Sequence, residues 1–117
     1  MHIGTDIIEV SRIEKLIIEK GDKFLKRIYT DKEIDYCESK GPNKYQHYAG
    51  RFAAKEAIMK AYGANKFNFK TIEIINNEDG MPKVKLHSNL AVDEFIEIRV
   101  SISHIKDFAT ANAIVFF

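Results

Sequence analysis

The chain holds one cysteine, Cys37, which excludes an intrachain disulfide and a thiolate metal cluster and fits a cytoplasmic address. It has only two prolines, Pro42 and Pro82, so long stretches can run as unbroken helix or strand. No apolar run approaches the roughly 18 residues of a membrane span. Asp6 and Glu9 interrupt the apolar start, so no signal peptide is expected. Charge of one sign is missing too: 18 Lys and Arg face 17 Asp and Glu, a net +1 that argues against bulk nucleic-acid binding. What is present is 117 residues, 45% hydrophobic and 30% charged, enough for one domain spanning 1–117 with its own core.

The first half reads as helices and the second as strands. Residues 2–10 (HIGTDIIEV) form a β-branched strand whose pattern Gly4 breaks. Asp6 lies inside it, where a carboxylate is costly to bury alone; it is either at an exposed edge or holding something. Ser11, with Glu14 at capping-box spacing, opens a helix that runs to Lys20 and ends at Gly21. Asp22 caps a short helix carrying Phe24, Leu25 and Ile28. Thr30, with Glu33, opens a third that stops at Gly41-Pro42. Residues 71–76 and 83–87 alternate like strands around the turn signal Asp79-Gly80. Residues 88–94 connect onward without a defined type, and 97–104 and 108–117 are two more strands linked at 105–107. The expectation is an α+β fold, an antiparallel sheet packed against one long helix plus short N-terminal helices. The apolar ending AIVFF is either a core strand or an edge completed by self-association.

That long helix spans residues 44–63 (KYQHYAGRFAAKEAIMKAYG). Glu56 and Lys60 stand four apart on one face, and Ala49 and Ala53 extend the stripe backwards. Arg51 and Lys55 make a second cationic row farther around the helix. A solvated Glu–Lys pair worth a few tenths of a kcal/mol explains the first stripe; so does a surface whose small residues let something approach closely and then meet charge.

Two carboxylates on separate elements, Asp6 and Glu56, suit a hard divalent cation such as Mg²⁺, which takes one or two carboxylates plus water and substrate phosphate. Arg51, Lys55, Lys60 and His104 suit a phosphorylated ligand. Ser101 and Ser103 fall on the strand face opposite His104. Between Arg12 and Lys32 seven basic residues (Arg12, Lys15, Lys20, Lys23, Lys26, Arg27, Lys32) outnumber four acidic ones, either as a solvated surface or as a docking patch for an acidic partner.

Four stretches carry a resemblance. GTDIIEVSRI is similar to the G-x-D-x-x-x-x-x-R-I opening of the holo-[acyl-carrier-protein] synthases, the short bacterial 4′-phosphopantetheinyl transferases. RFAAKEAIMKAYG resembles their F-x-x-K-E-A-x-x-K-A helix, SISHIKDFATANAIV their S-x-S-H strand, and DGMP their G-x-P turn. The stretches run from residue 4 to residue 115 in family order and spacing.

The resemblance implies transfer of 4′-phosphopantetheine from coenzyme A to a serine of apo acyl carrier protein, with release of adenosine 3′,5′-bisphosphate, in support of fatty acid biosynthesis. It places Asp6 and Glu56 on Mg²⁺ and Lys60 on the leaving bisphosphate. Glu56 or a water on the metal would be the base. It implies that Arg51, Lys55, Lys60, Gly63, Pro82 and His104 contact coenzyme A, and that the helix alanines let it approach the backbone. Arg12, with Lys20, Lys23 and Arg27, would meet the acidic carrier. Family members are trimers with active sites at subunit interfaces.

The competing expectation is a non-catalytic module that holds coenzyme A or an acidic carrier; it has no use for Asp6, Glu56 and Lys60 in this arrangement. A Mg²⁺-dependent nucleotide hydrolase is a third, needing a positioned water and no protein acceptor.

Overall fold

The computed structural model describes residues 1–63, 68–87 and 97–116. Strand β1 (His2–Glu9) passes directly into helix α1 (Val10–Lys20), followed by α2 (Asp22–Ile28), α3 (Asp31–Glu38) and the long α4 (Lys44–Tyr62). Strands β2 (Ile72–Asn76), β3 (Pro82–Leu86), β4 (Glu97–His104) and β5 (Phe108–Phe116) complete the α+β order. The connection expected at 88–94 lies outside the described residues.

Local chemistry sets most of these boundaries. Thr30 and Glu33 form a full capping box at the start of α3, as their spacing predicts. Two other expected caps are different. The helix begins at Val10 rather than after Ser11, and the Val10 N–H is satisfied by the carbonyl of Asp107 at 2.9 Å, from the β4–β5 turn. Gly21, at φ +56°, both closes α1 and precedes α2, so Asp22 is the first helical residue rather than the cap.

The strands form two antiparallel sheets, β1-β5-β4 and β2-β3. The apolar C-terminal strand is therefore the centre of its sheet, paired on both sides, and not an edge. Its inward residues Ala109, Ala111, Ala113 and Val115 are fully buried against α4. The α4 alanines face the same way: Ala49, Ala53 and Ala57 are fully buried and Ala61 nearly so. Small side chains on both surfaces bring helix and sheet close, at the separation where dispersion contacts are strongest. Those alanines serve the core; they do not open the helix to a ligand.

α4 is thus a central helix, with the three-stranded sheet on one side and α1, α3 and β2 on another. Beyond its first turn it reaches solvent at Phe52, Glu56, Lys60 and Tyr62 alone. The first three are spaced by four, one line along an otherwise buried cylinder.

Candidate active site

Gly4 determines where Asp6 sits. A Cβ on Gly4 would run into the carbonyl oxygen of Ala57 and stand 2.8 Å from the Ala61 nitrogen. Only a bare backbone lets β1 cross α4 this closely. Residues alternate along a strand, so Asp6 shares the inward face with Gly4 and Ile8 and arrives beside the exposed line of α4.

There Lys60 Nζ donates to Asp6 Oδ1 at 2.8 Å and to the Thr5 carbonyl at 3.1 Å. Asp6 and Glu56 line one cleft of about 290 Å³ together with Ile7, Arg12, Leu16 and Phe52. Burial pushes the Glu56 carboxyl above its ordinary range; the negative Asp6 adds to that push, and Lys60 opposes it. The hydrogen bond to Asp6 is the main cause that raises Lys60. Among the described residues no three His, Cys, Asp or Glu side chains gather as a metal cluster. Two oxygen donors with room beside them suit a cation that fills its other positions with water and phosphate, which is the habit of Mg²⁺.

A second cleft lies elsewhere around α4. Tyr36, His47, Gly50, Arg51, Asn76, Pro82 and His104 are among its lining residues. Arg51 is only 4% exposed. Its guanidinium packs 4.0 Å over the Tyr36 ring and donates to Asn76 Oδ1 at 2.6 Å, while the buried Nε has no partner. His104 Nδ1 sits 3.0 Å from Gln46 Oε1, and its ring meets His47 edge-on at 4.9 Å between centroids. Burial, then the neighbouring His104, Lys40 and Arg51, lower His47 to about 4. A buried cation with a spare donor beside two imidazoles is a phosphate-binding chemistry.

The expected site residues therefore fall into separate groups. Asp6, Glu56, Lys60 and Arg12 come together at the first cleft, and Arg51, Pro82 and His104 at the second. Ser101 and Ser103 lie on the sheet's outer face, away from His104's companions on α4. Gly63 caps α4 at φ +123°, with its N–H on the Met59 carbonyl at 2.9 Å; the conformation calls for glycine. Lys20, Lys23 and Arg27 are exposed along α1 and α2, with Arg12 on the same segment.

Lys55 is a correction. Its ammonium is fully buried and donates to Glu33 Oε1 at 2.6 Å, the Ile28 carbonyl at 2.7 Å and the Phe69 carbonyl at 3.0 Å. All three protons are used, so none is left for a phosphate. Glu33 completes the arrangement by accepting from the Thr30 and Ile74 amides. Sequence reasoning missed Tyr36, Gln46, His47 and Asn76, which shape the second cleft; the position of Gln46 and His47 just ahead of Arg51 was the one available signal.

The model of the 4′-phosphopantetheinyl transferase superfamily matches residues 2–113. The holo-[acyl-carrier-protein] synthase of Ruminiclostridium cellulolyticum is 44% identical, over 98% of this chain and 91% of its own length. That of Clostridium tetani is 46% identical over 98% and 94%. The crystal structure of the Helicobacter pylori holo-[acyl-carrier-protein] synthase with coenzyme A superposes at a TM-score of 0.86, with 35% identity over 97% of this chain and 99% of that one. The Bacillus anthracis synthase in complex with CoA (3′,5′-ADP) gives 0.81 at 38% identity, covering 97% and 94%.

Proposed function

Since the chain belongs to the 4′-phosphopantetheinyl transferase superfamily, we propose that it works as a holo-[acyl-carrier-protein] synthase. It transfers 4′-phosphopantetheine from coenzyme A to a serine of apo acyl carrier protein and releases adenosine 3′,5′-bisphosphate, in the cytoplasm. The observation that carries this reading is the meeting of Asp6, Glu56 and Lys60 from opposite ends of a 54-residue separation.

Phosphoryl transfer asks a protein for positioning and charge stabilisation more than for covalent chemistry. Asp6 and Glu56 would hold Mg²⁺ at the first cleft, and the ion would supply Lewis acidity and charge neutralisation for phosphoryl transfer. Lys60 offsets charge on the departing bisphosphate; its exposed ammonium on a flexible stem reaches outward from α4. Glu56, or a water on the cation it would hold, would take the proton of the attacking serine. Arg51 and His104, with Pro82 beside them, receive nucleotide phosphate. Exposed Arg12, Lys20, Lys23 and Arg27 receive the acidic carrier, with Arg12 at the boundary between carrier and cleft.

The two clefts belong to different copies in each working site. Arg51 and Glu56 are five residues apart on α4, about 140° around its axis, and among the described residues the clefts share no lining residue. One ligand spans both when the second cleft of a neighbouring copy faces the first cleft of this one. A closed ring of three copies satisfies that head-to-tail relation. The outer face of the β1-β5-β4 sheet offers apolar surface for it, with Ile3 and Ile7 about two-thirds exposed and Phe108 45% exposed.

The test is direct: incubate the protein with coenzyme A, Mg²⁺ and an apo acyl carrier protein, and weigh the carrier. A gain of one phosphopantetheine is expected. No gain with several carriers and folded protein sinks the transferase reading.

A further inference from the structure

Lys60 and a divalent cation address the same carboxylate. Its ammonium donates to Asp6 Oδ1 at 2.8 Å and is tied to the β1 backbone through the Thr5 carbonyl at 3.1 Å. Glu56, one turn earlier on α4, adds negative charge to the same place. Unlike charges at this spacing neutralise each other; two cations would repel, and Asp6 would be divided between them. Lys60 is thus a built-in countercharge for a pair of carboxylates that otherwise repel.

We propose that Lys60 occupies the cation's place on Asp6 and yields it when a phosphate-bearing ligand draws the ammonium away, so that cation and ligand bind cooperatively. The inference rests on the assignment of Asp6 and Glu56 to a divalent cation. Three features support it. The Lys60 side chain is 53% exposed, against 14% for Asp6, so the lysine is the partner free to move. Its four-carbon stem lets the head group swing without disturbing α4. An anionic diphosphate offers the displaced ammonium a stronger partner than water does. Linkage then requires that the ligand tighten cation binding by the same factor as the cation tightens ligand binding.

Mn²⁺ binding to the full chain, followed by calorimetry and by electron paramagnetic resonance, tests this without turnover. Lys60→Met and Lys60→Gln are compared with the unaltered protein, each with and without saturating coenzyme A, at 0.1 and about 0.5 M salt. Without coenzyme A both variants should bind Mn²⁺ roughly tenfold more tightly than the unaltered protein, within the usual range of coupling between sites. Coenzyme A should tighten Mn²⁺ binding to the unaltered protein and do so several-fold less in the variants. Equal or weaker binding by the variants overturns the competition while leaving the cation site standing. So does a difference that vanishes at the higher salt, because a screened field is not contact. No Mn²⁺ binding by any of the three proteins overturns the cation assignment and this inference with it.

Discussion

Gly4 of β1 rests on the backbone of α4 at Ala57, with no space for a single added carbon between them. The contact joins the first residues of the chain to its central helix and sets Asp6 two positions along, beside Lys60. Gly4→Ala would force a methyl group against backbone that is held on both sides. Overpacking a close contact costs about 1–3 kcal/mol, and a rigid carbonyl puts this one at the upper end. The melting temperature should fall by several degrees, and Mn²⁺ affinity should fall with it because Asp6 is displaced. A variant with undiminished stability would show that β1 can move away from α4.

Lys55 and Glu33 form a fully buried ion pair that joins α4 to the start of α3, the end of α2 and the turn at Phe69. Removing one member leaves the other charged and unpaired. Lys55→Met should cost about 3–5 kcal/mol, the usual penalty for breaking such a pair. Adding Glu33→Gln should recover part of that loss, since the orphaned carboxylate disappears. Chemical denaturation of the two single variants and the double variant checks this; strictly additive losses would mean that the pair is not coupled.

His47 gives the fold an acid sensitivity of known sign. Its folded-state value is lowered to about 4, against 6.5 for a free imidazole, mainly by burial. As pH falls from about 6.5 toward 4, the unfolded chain takes up a proton that the folded chain refuses, so stability falls through that window. His47→Phe keeps a ring of similar size against Tyr36 and His104 and removes the proton site. Melting temperatures between pH 7 and 4.5 should fall less steeply for the variant. Parallel curves would place the acid sensitivity elsewhere.

Different kinds of information account for what was legible in the sequence. The capping box of Thr30 and Glu33 is local, and spacing alone revealed it. The second duty of Glu33, as counter-ion to Lys55, depends on residues 22 apart and on burial, which no spacing records. Lys55 looked like a surface cation because a helix periodicity argument assumes one buried face, whereas α4 is buried nearly all round. Asp6 was legible as an oddity, a carboxylate in an apolar strand, yet its companionship with Lys60 follows from the missing side chain of Gly4. The helix alanines were visible as a pattern; that they meet matching alanines of β5 was not, because the strand's place at the sheet centre is a property of topology. The motif residues of the family resemblance singled out Asp6, Glu56 and Lys60 before any geometry brought them together, but they grouped them with residues that one chain keeps in a separate cleft.

That separation leads to the sharpest expectation. If one copy's Asp6–Glu56 cleft works with a neighbour's Arg51–His104 cleft, two inactive variants should rescue each other. Glu56→Gln disables the first cleft and Arg51→Ala the second, so each assembled alone has no complete site. In a ring built at random from equal amounts of the two, a complete site needs an intact first cleft next to an intact second cleft, which arises at about one interface in four for a head-to-tail assembly. Purification removes the unmixed rings and leaves one complete site in each mixed ring of three, so co-refolding two differently tagged variants, purifying the mixed assemblies and measuring carrier modification should return about a third of the unaltered rate. Native mass spectrometry of the same sample reports whether the copies have mixed. Mixed assemblies that remain inactive would mean that both clefts serve a ligand within one chain, and the ring would lose its catalytic purpose.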